Sequence, residues 1–233
     1  MTRQIICALD TGDLEEARRI TTRLSPYVRA FKIGHSLTLQ HGLDVVPRLQ
    51  DAGARRVFLD LKFHDIPNTV ALAVREATKR GVWMLTLHIA GGRAMMTAAV
   101  EEAGALGAEQ APLLMGVSVL TSLDQKFLTE DLAIGRSVED HMIALSRLAM
   151  ECELDGVVCS PEEVSAMKKV IGHGCIVTPG IRLADSDTHD QKRTGTAQQA
   201  LEDGADYLVV GRVLMGAPEP EAVLQKMGLL ANA

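Results

Sequence analysis

Aromatic side chains are scarce in this chain of 233 residues: four Phe, two Tyr and one Trp make up 3% of it. That excludes a ladder of stacking platforms for single-stranded nucleic acid or polysaccharide and points to a compact polar ligand. Positive charge is also in short supply, with 24 Lys and Arg against 30 Asp and Glu for a formal net charge of -6. No global cationic field favours a nucleic acid polymer or an anionic membrane, so any basic function is local. No apolar run approaches the roughly 20 residues of a membrane span. Cys7, Cys152, Cys159 and Cys175 lack the spacing of a metal or redox motif. They are expected to be free thiols in a cytoplasmic protein, since residues 1–10 lack the long apolar stretch of a secretory signal.

What is present is ordinary globular material, 47% hydrophobic and 23% charged, with no linker-like shift of composition. One domain spanning residues 1–233 is expected. Short apolar runs alternate with longer amphipathic stretches, and the runs are continuous, as in a parallel sheet covered on both faces. Eight candidate strands result: Ile5 to Leu9, Ala30 to Ile33, Val57 to Lys62, Met84 to His88, Leu113 to Val119, Gly156 to Val158, Cys175 to Thr178 and Tyr207 to Val210. Helix starts are marked by Asp13 with its acidic first turn, and by Ser160 and Pro161 as N-cap and first residue; a further helix is read from Pro218 to Met227. Eight strand-then-helix units in this length predict an α/β fold, a single (β/α)8 TIM barrel, with a doubly wound sheet as the alternative. The longest irregular segment, Arg182 to Gly195, is long enough to have a task.

In such barrels chemistry sits at the C-terminal ends of the strands. There the third strand carries Asp60 and Lys62, placed by alternation on one face, with Asp65 three residues on; the second strand ends in Lys32. Two ammoniums among two carboxylates form either a structural ion-pair plug or an array that keeps a lysine protonated as a proton donor. Asp10 ends the first strand, as a helix cap or a hydroxyl acceptor. Thr121 and Ser122 follow the fifth, as caps or as hydrogen-bonding partners of a polar heterocycle. Pro179 to Arg182 after the seventh strand and Gly211-Arg212 after the eighth fall where these barrels hold phosphate, and Gln191 lies in a loop able to cover it. No HExxH, GxGxxG or Walker pattern occurs, so neither a metal nor a nucleotide cofactor is indicated. His88 reads as a core histidine, and Met95-Met96 as helix packing.

The run Phe58-Leu59-Asp60-Leu61-Lys62-Phe63-His64-Asp65-Ile66-Pro67-Asn68-Thr69 closely resembles the signature of the orotidine 5′-phosphate decarboxylase family. The resemblance extends in order through Leu9-Asp10, Phe31 to Gly34, Leu120 to Ser122, Thr178 to Arg182, Asp190 to Arg193 and Val210 to Arg212. It implies a homodimeric barrel converting orotidine 5′-monophosphate to uridine 5′-monophosphate (UMP) and carbon dioxide, with no cofactor and no metal. Carried over residue by residue, Lys62 is the proton donor to C6, Asp60 sits against the departing carboxylate, and Lys32 and Asp65 complete the array. Asp65, Ile66 and Thr69 belong to the substrate site, Asp65 and Thr69 reaching in from the partner subunit. Asp10 holds ribose hydroxyls, Thr121 and Ser122 contact the pyrimidine, and Pro179, Arg182, Gln191, Gly211 and Arg212 gather around the phosphate. Magnesium-dependent keto-gulonate-phosphate decarboxylases share the Asp-x-Lys-x-x-Asp strand and are the nearest enzyme alternative. A phosphate-ligand binding barrel is the non-enzymatic one.

Overall fold

Alternation along the strands dictates the architecture. In Ile5–Leu9 (β1) the odd residues Ile5, Cys7 and Leu9 join the large core beneath the helices, whereas Ile6 and Ala8 join a second, smaller core. Ala30–Ile33 (β2), Val57–Phe63 (β3) and Met84–His88 (β4) divide the same way, sending Ala30, Phe58 and Met84 to the small core. Strands apolar on both faces must be covered on both, and a sheet closed on itself achieves this. The computed structural model, which describes residues 4–182 and 195–230, is such a closure. Leu113–Val117 (β5), Gly156–Val158 (β6), Cys175–Thr178 (β7), Ile181–Arg182 (β8), Gly195–Thr196 (β9) and Tyr207–Val210 (β10) complete the strands. The barrel runs β1-β2-β3-β4-β5-β6-β7-β10 and closes through parallel pairing of β1 with β10 at Ile5↔Leu208.

Helices fill the crossovers: Leu14–Leu24 (α1), His35–His41 (α2), Val45–Asp51 (α3), Pro67–Lys79 (α4), Arg93–Ala105 (α5), Val138–Glu151 (α6), Val164–Ile171 (α7), Ala197–Glu202 (α8), Arg212–Met215 (α9) and Pro220–Lys226 (α10). Asp13 caps α1 as its sequence position predicts, accepting from the amides of Glu15 and Glu16 at 2.8 and 3.2 Å. Met95 and Met96 of α5 are fully buried, in keeping with a packing role. None of the four cysteines forms a disulfide among the described residues, and burial first of all pushes the Cys7 and Cys175 thiols up to about 12. Among the described residues no helix is long and apolar enough to cross a membrane.

Four boundaries differ from the sequence reading. β5 stops at Val117 rather than Val119 because its neighbour β6 ends at Val158, leaving nothing to pair with. The last helix begins at Pro220 rather than Pro218, since Glu219 precedes a proline and is held extended (φ -121°, ψ 91°) as its N-cap. The two ends of the long segment after β7 are not irregular: Ile181 pairs with Gly195 and Arg182 with Thr196 in a separate two-stranded sheet. β3 runs on to Phe63, and its register slips: Leu59 faces Leu85 but Phe63 faces Leu87, so four steps on β3 match two on β4.

Packing tolerance differs sharply between glycines. A Cβ on Gly156 would overlap the Cys175 carbonyl on the neighbouring strand, while one on Gly104, exposed in α5, would meet nothing within 4 Å. Gly156→Ala is therefore expected to destabilise by about 3 kcal/mol or more, lowering Tm by roughly 6–12 °C. Gly104→Ala should raise stability by about 0.5–1 kcal/mol. Thermal melts of the two variants check both signs.

Candidate active site

The inward rows of the barrel turn polar at one level. Continuing each row two residues past its last apolar member takes Ala8 to Asp10, Ala30 to Lys32, Phe58 to Asp60 and Met84 to Thr86, all at the C-terminal mouth. A cavity of about 220 Å³ opens there. Its floor is Ala8, Phe58, Val158, Val177 and Val209, and its rim includes Asp10, Lys32, Asp60, Lys62, Thr121 and Arg212. An adjoining pocket of about 250 Å³ shares the four charged residues of β1 to β3 and adds Gly34, His35 and Ser36.

Asp60 is the hub. Its Oδ1 accepts from Lys62 Nζ at 2.9 Å, its Oδ2 lies 3.3 Å from Lys32 Nζ, and Lys32 reaches on to Asp10 at 3.7 Å. Burial pushes the Asp60 carboxyl up, but the ammoniums of Lys32 and Lys62, with hydrogen bonds from Lys62 and Thr86, outweigh it and hold the group below the usual carboxylate range. Asp60 is thus an anion held between two cations, an arrangement that offsets much of the desolvation cost of each.

Alternation alone does not bring Lys62 to Asp60. Lys62 sits at the register slip of β3 with φ 51°, a left-handed conformation that costs a non-glycine residue on the order of 1 kcal/mol. Its amide has left the strand ladder and donates instead to Thr86 Oγ1 at 3.0 Å. Thr86 in turn donates to Asp60 Oδ1 at 2.9 Å. Sequence reasoning missed Thr86, although its position in the inward row, two residues before His88, was a usable signal.

On the opposite wall Pro179, Gly180, Gly211 and Arg212 line the cavity. A Cβ on Gly211 would come within 3.1 Å of Asp10 Oδ2, so a side chain there would press on the carboxylate. A second residue absent from the sequence reading supports this wall: Arg23 of α1 donates to the carbonyls of Met215 and Ala217 at 2.7 and 2.8 Å, clamping the turn that carries Arg212. His88 is half-buried and tilted against His64, ring centroids 5.3 Å apart; burial and then His64 lower its pKa. It does not line the cavity. Among the described residues no three His, Cys, Asp or Glu side chains are grouped so as to hold a metal ion.

Asp65, Ile66, Thr69 and Ser122 do not line the cavity within one chain. Asp65 is exposed and accepts from the amide of Ile66 at 2.6 Å, while Ile66 and Thr69 are exposed beside it. The fourth charge of the array within one chain is Asp10, not Asp65, because the chain turns outward after Phe63. Ser122 is exposed and off the cavity wall, whereas Thr121 is on it. Arg182 ends β8 opposite Thr196, and Gln191 lies outside the described residues.

Because the Asp60 pKa is lower folded than unfolded, the stability it contributes is complete above the unfolded value of about 4 and is lost as pH falls through the folded value. The difference in unfolding free energy between the wild type and Asp60→Asn, from urea titrations, should shrink as pH drops from about 5 to about 3. A difference independent of pH would contradict the ion-pair account.

Comparison with known proteins adds the lineage. A family model described as "Orotidine 5'-phosphate decarboxylase / HUMPS family" matches residues 3–227. The chain is 47% identical over 224 residues to the orotidine 5′-phosphate decarboxylase of Moorella thermoacetica, covering 94% of this chain and 88% of the relative. It is 45% identical to that of Syntrophomonas wolfei, covering 97% of each. Among solved structures, the orotidine 5′-phosphate decarboxylase of Lactobacillus acidophilus superposes with a TM-score of 0.84 at 32% identity over 97% of each chain. An uncharacterized conserved protein from Geobacillus kaustophilus gives 0.83 at 33% identity, over 96% of this chain and 98% of that one. With the match running through the strands that carry Asp10, Lys32, Asp60, Lys62 and Arg212, this chain belongs to the orotidine 5′-phosphate decarboxylase / HUMPS family.

Proposed function

We propose that the chain decarboxylates orotidine 5′-monophosphate to UMP and carbon dioxide in de novo pyrimidine synthesis, using residues 1–233 as one catalytic barrel and neither metal nor organic cofactor. The observation that carries this reading is the Asp60 carboxylate fixed between Lys32 and Lys62 at the edge of a cavity whose far wall is Pro179, Gly180, Gly211 and Arg212. A phosphate at Gly211 and Arg212 leaves the heterocycle beside Thr121 and over the charged array, with ribose hydroxyls within reach of Asp10.

The C6–carboxylate bond breaks heterolytically: carbon dioxide leaves and the electron pair stays on C6. The Lys62 ammonium delivers its proton to C6, and the neutral amine then regains one from water. Such a carbanion has little delocalisation, so a cation already aimed at C6 in a site shielded from water stabilises the transition state without reorganisation. Asp60 holds that cation in place and faces the substrate carboxylate. Pro179, Arg182, Gln191, Gly211 and Arg212 bind the phosphate, whose binding energy helps hold the reactive geometry. Ser122 joins Thr121 at the pyrimidine.

Asp65, Ile66 and Thr69 act in the site of a second copy. Supporting this, all three project from the same chain's mouth region to solvent, and Ile66 leaves 66% of its surface exposed with Leu72 of α4 exposed nearby in sequence. Large apolar side chains on such a face are suited to burial against a partner.

Purified protein treated with EDTA should consume the orotate chromophore of orotidine 5′-monophosphate, and Lys62→Ala should lose roughly a thousandfold or more in kcat. A folded, inactive wild type would move the reading to magnesium-dependent sugar-phosphate chemistry or to ligand binding. Orotidine lacking the phosphate should lose turnover as well as affinity. Co-expressed Lys62→Ala and Asp65→Ala chains should recover about one quarter of wild-type activity, because half of randomly paired dimers each carry one intact shared site. Activity no higher than that of the separate variants would place Asp65 outside a shared site.

A further inference from the structure

We propose that Thr86 is a positioning residue for the decarboxylation, its hydroxyl setting both the Asp60 carboxylate and the backbone that aims Lys62. The inference rests on the function proposed above and adds to it a residue on a strand that contributes none of the charged groups.

Three observations converge on this one side chain. Thr86 is in the inward row of β4 and 1% exposed, so water does not compete for its hydroxyl. Its Oγ1 donates to Asp60 Oδ1 at 2.9 Å and accepts from the Lys62 amide at 3.0 Å. The Lys62 amide is the donor that the β3 register slip removes from the strand ladder, and Lys62 is one of only three non-glycine residues with positive φ among those described. A hydroxyl can donate to a carboxylate and accept from an amide at the same time; a methyl group can do neither. The β-branched side chain has few rotamers open to it, so the hydroxyl is held where both bonds are made.

The consequence is mechanical. Asp60 Oδ1 receives two hydrogen bonds, from Lys62 Nζ and Thr86 Oγ1, while Oδ2 faces Lys32, so rotation about the carboxylate axis breaks at least one of them. The same hydroxyl anchors the left-handed turn at Lys62 that points its side chain back over Asp60. Removing it frees the carboxylate and leaves a backbone donor without its acceptor, so the ammonium loses its fixed aim. Among the described residues the Thr86 hydroxyl bonds to the Lys62 amide and to Asp60 Oδ1, and not to Asp10, Gly211 or Arg212, the residues proposed to bind ribose and phosphate.

The test compares Thr86→Val, which keeps the shape and removes the hydroxyl, with Thr86→Ser, which keeps the hydroxyl and removes the methyl. Thr86→Val should lose roughly 10- to 100-fold in kcat, with KM and the Kd for UMP within about threefold of wild type. Thr86→Ser should restore kcat to within about threefold of wild type. A Val variant with wild-type kcat would overturn the inference. So would a Ser variant that falls as far as Val, or a loss confined to KM and UMP affinity. If the Val variant does not fold, Thr86→Ala is read against Ser in the same way.

A crystal structure of the Val or Ala variant gives a readout independent of turnover. Lys62 leaving positive φ, or the Lys62–Asp60 contact lengthening well beyond its present 2.9 Å, is expected. An unchanged geometry would overturn the positioning role. A wild type that binds UMP but turns nothing over would sink the proposed reaction, and the crystallographic comparison would still decide the role of Thr86.

Discussion

Everything at the mouth of this barrel depends on one carboxylate. Asp60 sits at the top of an apolar column, above Phe58, where an isolated anion would be protonated or excluded. The ammoniums of Lys32 and Lys62 keep it ionised, and it keeps them where they are. Neither cation would hold a fixed place over an apolar floor without it, and Asp10 would lose its link to the array through Lys32. The interaction is local, yet it joins three strands, which is why distortion of β3 is tolerated at this point.

That distortion separates two jobs the strand has to do. Up to Leu59, β3 is an ordinary member of the barrel, in register with both neighbours. Beyond it, two extra residues are taken up and Lys62 adopts a conformation that non-glycine residues avoid. Strain of this kind persists only where neighbours over-determine it, and here the neighbours are a buried threonine hydroxyl and a mostly buried carboxylate. The opposite wall is built on the same plan: a clamp from α1 through Arg23 fixes the turn that presents Gly211 and Arg212. Charged array and glycine–arginine wall are therefore held by different elements, and they meet at Asp10, which faces Gly211.

Much of this was legible in the chain itself, for a physical reason. Continuous apolar runs report strands covered on both faces, and six of the eight strands begin and end where periodicity puts them; β3 runs one residue further and β5 stops two residues short. Asp10, Lys32 and Asp60 follow from alternation once the strand ends are known. The boundaries that moved did so through neighbours: β5 ended with its partner, and the last helix started where a proline forced the preceding residue to stay extended. Thr86 and Arg23 escaped notice because a threonine in a strand and an arginine in a helix are unremarkable until their acceptors are known.

The sequence by itself determined the eight strand-and-crossover units and the level at which polar residues replace apolar ones, because these follow from hydrophobic period and crossover length; closure into a barrel was decided by the pairing of β1 with β10. The sequence also carried the signature that the family comparison bears out over residues 3–227. Only the tertiary structure decided that β3 slips by two residues, that Lys62 turns back over Asp60, that Thr86 bonds to both, and that Asp65 stands clear of the array within its own chain. Those outcomes depend on pairing across strands and on which donor finds which acceptor, information that no single strand contains.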